Sequence, residues 1–125
     1  MRLPFKYEDY VAGLAVVSGF IGFDQDSINV EYHISDNVLE VYKSELKEVK
    51  IPYQNIENIE FKKGWFSQRL IVHLGTLKNV DKLPFLKDNQ LIFNIKRKIR
   101  NKAKTFEIEC NLEISTFKLN SIDNL

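Results

Sequence analysis

The chain has 125 residues, 44% hydrophobic and 28% charged, which is enough to bury one core and too few for two stable domains. Its formal net charge of +1, from 18 Lys and Arg against 17 Asp and Glu, excludes a uniformly basic nucleic-acid binder and an acidic tail protein. The single cysteine, Cys110, has no intramolecular disulfide partner and supplies no thiolate cage, so a stapled secreted fold and a zinc module are excluded and a reducing cytoplasm fits best.

The longest apolar stretch, Val11 to Phe23, falls short of the roughly 20 residues of a membrane span and is broken by glycines. Acidic Glu8 and Asp9 stand before it, where a signal peptide carries positive charge. It therefore predicts a first strand region, with Gly19, Gly22 and Asp24-Gln25-Asp26-Ser27 marking the turn that follows. Ile28 to Ile34 alternates apolar with polar residues, the pattern of a half-buried strand. After Ser35-Asp36-Asn37 comes another extended run, Val38 to Tyr42. Val49 and Ile51 flank Lys50 and lead into Pro52, which cannot donate to a sheet ladder and predicts an edge or a strand end.

Tyr53 to Ile56 reads as a bend. Two β-rich runs, Ile59 to Lys62 and Leu70 to Leu74, predict a hairpin with Gly64 in its loop. Thr76 to Asn89, which contains Pro84, has little periodicity, and Leu91 to Ile95 is the last strong strand.

The final third fits two templates. Ala103, Phe106, Cys110, Ile114 and Phe117 recur at spacings of three and four, as on one face of a helix. Phe106, Ile108, Cys110, Leu112 and Ile114 also alternate strictly with polar residues, as in a strand. Arg100, Lys102 and Lys104 would oppose the helix macrodipole by a few tenths of a kcal/mol each, whereas an unbroken element of about 18 residues is ordinary for a helix and long for a strand.

The order of elements, six or seven strands and then a terminal helix, resembles the pleckstrin-homology (PH) superfold, a bent antiparallel barrel capped by its last helix. More narrowly, the chain resembles a family of small, mostly bacterial PH-like proteins. The residues that carry the resemblance are Gly19 to Phe23, Val30 to Tyr32, Val49 to Ile56, Lys62-Lys63-Gly64-Trp65-Phe66 with Arg69-Leu70, and Ile95-Lys96-Arg97 on to Ala103. It implies one PH-like domain over residues 1–125, with a helix from about Arg100 plugging the barrel. It implies no chemistry, because the superfold is a scaffold for lipid, peptide or self-recognition. Lipid-binding PH domains carry cations around the loop joining their first two strands, and Asp24-Gln25-Asp26, read as that loop, would repel an inositol phosphate.

Catalysis finds little footing. His33 and His73 fall on the polar phase of separate strands, and no His, Cys and carboxylate set has ligand spacing, so neither a catalytic centre nor a metal or other cofactor is expected. No nucleophile elbow or phosphate loop occurs, and Cys110 lies on the apolar stripe, where a thiol behaves as a small hydrophobe.

Charge is distributed unevenly. Met1 to Glu60 holds 5 basic and 11 acidic residues, Phe61 to Lys104 holds 12 and 2, and Thr105 to Leu125 holds 1 and 4. The basic middle third contains Lys62, Lys63, Arg69 and the run Lys96, Arg97, Lys98, Arg100, Lys102 and Lys104, a candidate patch for an anionic partner, although such runs are commonly solvated faces. At the hairpin tip, Trp65 and Phe66 beside two lysines suit a membrane interface with anionic headgroups. The high average burial of tryptophan instead favours Trp65 as barrel core or an oligomer contact. Opposite the core stripe of the helix, Ile108, Leu112 and Leu119 form a second apolar face, a candidate self-association surface. The expectation is a non-catalytic, cytoplasmic binding or assembly module with a protein partner or a second copy of itself. Peripheral attachment to anionic membrane is the alternative, and nucleic acid is a weaker third option.

Overall fold

The computed structural model describes residues 1–36, 44–65 and 67–123. Strands β1 (Arg2–Tyr10), β2 (Ala15–Phe23), β3 (Ser27–Asp36) and β4 (Lys47–Pro52) form an antiparallel meander. A 3₁₀ turn over Tyr53–Asn55 leads to the hairpin of β5 (Ile56–Lys63) and β6 (Gln68–Leu74). The two-residue β7 (Leu86–Lys87) pairs with the start of β8 (Gln90–Ile95), and a second 3₁₀ turn, Arg97–Ile99, opens helix α1 (Arg100–Asp123). The strand order is β4-β3-β2-β1-β8-β6-β5, so the sheet bends around one core without closing, and α1 caps it. This is the mostly antiparallel, helix-capped fold that the order of elements predicts, with β1 and the short β7 as strands that order did not include.

The first strand begins earlier than the apolar run implies. In β1, Leu3 and Phe5 are buried while Arg2, Pro4 and Lys6 face outward, a period of two carried through a proline. Pro4 is tolerated because β1 pairs with β8 only at Lys6 opposite Asn94, leaving little ladder on that side for a missing N–H to break. Gly19 and Gly22 consequently lie inside β2 and do not form the turn after it. Gly19 sits against β3 so closely that a Cβ built on it would fall 1.8 Å from the Glu31 carbonyl oxygen. No side chain fits there, and the close approach lets the first half of the sheet coil.

The turn Asp24–Asp26 joins β2 to β3, not the first two strands. The loop joining β1 and β2 is 11–14, uncharged and exposed at Val11 and Leu14. Repulsion by an acidic loop therefore does not bear on that position. Val11 and Ala12 both have positive φ, +52° and +54°, and the Gly13 N–H donates to the Tyr10 carbonyl at 3.2 Å. That left-handed pair is unfavourable for a β-branched residue. The predicted run Val38 to Tyr42 lies outside the described residues.

One apolar cluster fills the interior. Phe5 packs edge-on against Phe85 and Phe93 (5.7 and 4.8 Å between centroids), joining the two halves of the sheet, and Phe23 meets Phe106 of α1 at 4.9 Å. The two templates of the final third are thereby separated. Ala103, Phe106, Cys110 and Ile114 are buried, Phe117 packs on Tyr53, and Ile108 and Leu112, which a strand would bury, stand in solvent. Burying that stripe outweighs a few unfavourable charges at the first turn, each of which is small by comparison.

α1 also lies along the outer edge of β5. Asn111 accepts from the Ile59 N–H and donates to the Ile59 carbonyl, both at 2.8 Å, so its amide replaces the missing neighbouring strand. Glu107 accepts from the Phe61 N–H at 2.6 Å, and Lys118 donates to the Ile56 carbonyl at 2.5 Å. The spacing 107, 111 and 118 keeps all three on one helical stripe.

Candidate functional site

The β5–β6 hairpin is tight at its tip. The Gly64 N–H donates to the Ser67 carbonyl at 2.7 Å, and a Cβ on Gly64 would stand 2.5 Å from that oxygen. Such a turn has no interior in which to bury a large ring. Trp65 is 87% exposed, which corrects the expectation that it folds back into the core, and Lys62 and Lys63 are exposed beside it. Phe66 lies outside the described residues.

Strand register builds a groove next to this tip. The pairs Arg69–Asn94, Asn94–Lys6, Lys6–Ser18 and Ser18–His33 form one row across β6, β8, β1, β2 and β3. Residues in such a row share a face of the sheet. They line a groove of about 940 Å³ running between β1 and the exit of β8, whose rim holds Lys96, Arg97 and Lys98. Six cations, Lys6, Arg69, Lys87, Lys96, Arg97 and Lys98, thus line one groove with the carboxylates Glu8 and Asp9. Among the described residues none of the six makes an ion pair. The excess of cations over carboxylates in a concavity focuses positive potential there.

A second groove of about 610 Å³, which shares Phe20 with the first, is electrostatically different. There Arg2 bonds Glu31 at 2.7 Å and lies 4.6 Å from the centroid of the Phe20 ring, and Lys50 stands 3.8 Å from Asp24. Its cations are already matched.

The basic run of the sequence is therefore divided. Lys96 to Lys98 reach the groove, whereas Arg100, Lys102 and Lys104 are on the first turns of α1, with Lys104 bonded to Glu107 at 2.7 Å. Lys62 and Lys63 flank the tip, and Ser67 and Gln68 connect that hairpin to the groove wall. Lys6, Ser18, His33 and Asn94 were not singled out by motif. Lys6 is the outward residue between Phe5 and Tyr7, an alternation that marks it as exposed. Its meeting with Asn94 depends on a strand pairing far apart in sequence.

Polar side chains also bond to one another across the sheet and its turns. The Ser18 Oγ and His33 Nε2 are 3.0 Å apart, and His73 Nε2 lies 2.9 Å from Glu60. Asp24 accepts from the Asn29 side chain and from the Asp26 and Ser27 N–H groups, each at 3.0 Å, and these bonds hold its carboxyl well below the usual carboxylate range. The Tyr53 hydroxyl donates to the Asp24 carbonyl, and burial raises that phenol. Burial also pushes the Cys110 thiol up to about 12, far from reactive thiolate chemistry. Gln68 donates to the Gly64 carbonyl at 3.0 Å and its Oε1 is buried without a hydrogen-bond partner. Among the described residues no group of three or more His, Cys, Asp or Glu could hold a metal ion.

The predicted association residues are on the surface. Ile108, Leu112 and Leu119 are 59, 65 and 62% exposed, and Ile122 extends their stripe at 61%. No described helix is long and apolar enough to cross a membrane. No family model, curated protein or solved structure matches the chain.

Proposed function

We propose that the chain is a non-catalytic binding module that attaches peripherally to anionic membrane, with Trp65 entering the interface and the neighbouring cations meeting headgroups. The observation that carries this reading is the 87% exposure of Trp65 at a tight, lysine-flanked tip adjoining a groove of unpaired cations. An indole so placed is costly to leave in water, and interfacial tryptophan beside basic residues is a recurrent membrane anchor. Each cation near an anionic surface contributes about 1 kcal/mol. Lys62, Lys63, Arg69 and Lys96 to Lys98 together can hold a protein at a membrane that Trp65 alone could not.

Trp65 is the chain's single tryptophan, so its fluorescence reports this contact with no competing signal. Vesicles of phosphatidylcholine with phosphatidylglycerol should shift the emission to the blue and sediment the protein, and added salt should reverse both. Pure phosphatidylcholine should do neither. Trp65→Ala should weaken sedimentation about tenfold, equivalent to about 1.4 kcal/mol. An unchanged emission spectrum, or binding indifferent to salt, overturns the reading.

A further inference from the structure

The outward face of α1 holds Thr105, Ile108, Leu112, Ser115, Leu119 and Ile122, separated alternately by three and four residues. That alternation is the 3.5-residue repeat along which two helices pack side by side. Isolated exposed aliphatics are ordinary, but here four, each about three-fifths exposed, line up in one stripe. We propose that a second copy of this chain covers the stripe, the two α1 helices packing antiparallel with Leu112 of each against Ser115 of the partner subunit. The membrane contact uses neither this face nor these residues, so the pairing goes beyond that reading.

The stripe is complementary to its own reverse. Run antiparallel about a two-fold axis, Thr105 faces Ile122, Ile108 faces Leu119 and Leu112 faces Ser115, so two of the three layers set a large side chain against a small one. A parallel pair stacks Ser115 on its copy and Thr105 on its copy, leaving gaps, while Leu112 crowds its own image.

Charge selects the same direction. A parallel pair draws on the flank occupied by Lys104, Asn111 and Lys118 to reach across to the other helix. Those three are engaged within their own chain, with Glu107, the Ile59 backbone and the Ile56 carbonyl. The opposite flank, Lys102, Glu109 and Thr116, is exposed. In the antiparallel pair Glu109 faces Thr116 of the partner subunit, with no like charge opposed. The helix dipoles then also oppose each other favourably.

The area suffices for a specific contact. Each aliphatic contributes on the order of 100 Å² of apolar surface, so the eight of a pair remove about 800 Å². With the polar flanks the total approaches the roughly 1,200 Å² at which specific interfaces begin.

Light scattering of the intact protein over a range of concentrations should give twice the 14.7 kDa chain mass. Leu112→Glu should return it to the single-chain mass, and Leu14→Glu, an equally exposed leucine on the β1–β2 loop, should leave the dimer intact. Because position 112 is exposed, the variant should keep a cooperative melt, losing only the concentration-dependent rise that association gives the parent. Direction is tested by disulfide trapping with a copper catalyst and dioxygen, Cys110 remaining in place in the core. Thr105→Cys with Ile122→Cys should yield a covalent dimer. Thr105→Cys alone should not, because antiparallel packing holds the two copies of position 105 about 25 Å apart. A monomer at every concentration, a Leu112→Glu dimer, or trapping by Thr105→Cys alone each overturns the proposal.

Discussion

The sheet ends in two edges that are protected in different ways. At β5, side chains of α1 take the place of a neighbouring strand, with Asn111 satisfying both polar groups of Ile59. At β4 no element among the described residues covers the outer side, and the edge carries charge at Lys47, Glu48 and Lys50 and terminates at Pro52. The difference shows what a capping helix does besides fill a core. One stripe of α1 plugs the interior, the next seals an edge, and a third faces solvent. The first half of the sheet has no such helper and relies on close backbone contact and on the hydrogen bonds gathered by Asp24.

Three substitutions test that division of labour. Gly19→Ala should be the most damaging, because its methyl group collides with β3 backbone that cannot move aside like a flexible side chain. A loss of about 4 kcal/mol or more, read from urea unfolding, is expected, and full stability would mean that β2 and β3 are not so closely apposed. Asn111→Ala should cost about 2 kcal/mol by stranding the Ile59 N–H and carbonyl. It should also make the β5 edge prone to pair with other chains, seen as light scattering that grows with concentration; unchanged stability would show that water replaces the amide.

The smallest effect is the pH dependence of the open half. Asp24 has its carboxyl lowered on folding, first by the bond from Asn29 and then by that from the Asp26 N–H. A group lowered in this way stabilises the fold above the ordinary carboxylate pKa of about 3.9 and loses that contribution as pH falls toward its folded value. Melting temperature should therefore drop on acidification below about pH 4. Asp24→Asn, which sets an amide N–H or a weaker acceptor against Asn29, should melt lower at neutral pH and show a shallower acid decline. Parallel acid profiles for the two proteins would remove Asp24 from this role.

Much of this division could be read from residue order. Pro52 announced the β4 edge and Gly64 the hairpin, whereas the spacing from Ala103 to Phe117 fitted a helix and a strand equally, and packing on the core separates them. Strand β1 was hidden because Pro4 interrupts a good alternation, and its tolerance depends on a partner strand that hardly pairs there. Trp65 was placed inside by hydrophobicity, a property of the side chain, but outside by the tightness of a two-strand turn. The groove was least legible. Positions 6, 69 and 94 have no shared spacing, and only the register of three strands brings them into line.

The sparse pairing of β1 with β8 has a consequence for folding order. The meander β1 to β4 closes through neighbours in sequence, as does the β5–β6 hairpin. The two halves meet through Phe5 against Phe85 and Phe93 and through Lys6 opposite Asn94, and Lys6–Asn94 and Phe5–Phe93 are the most distant contacts along the chain described above. Closing so long a loop costs the most chain entropy and returns one backbone pair plus a ring cluster. Two locally wound pieces should thus form ahead of their docking, and in a hydrogen-exchange measurement amide protons at the β1–β8 seam should exchange with solvent sooner than those within either piece.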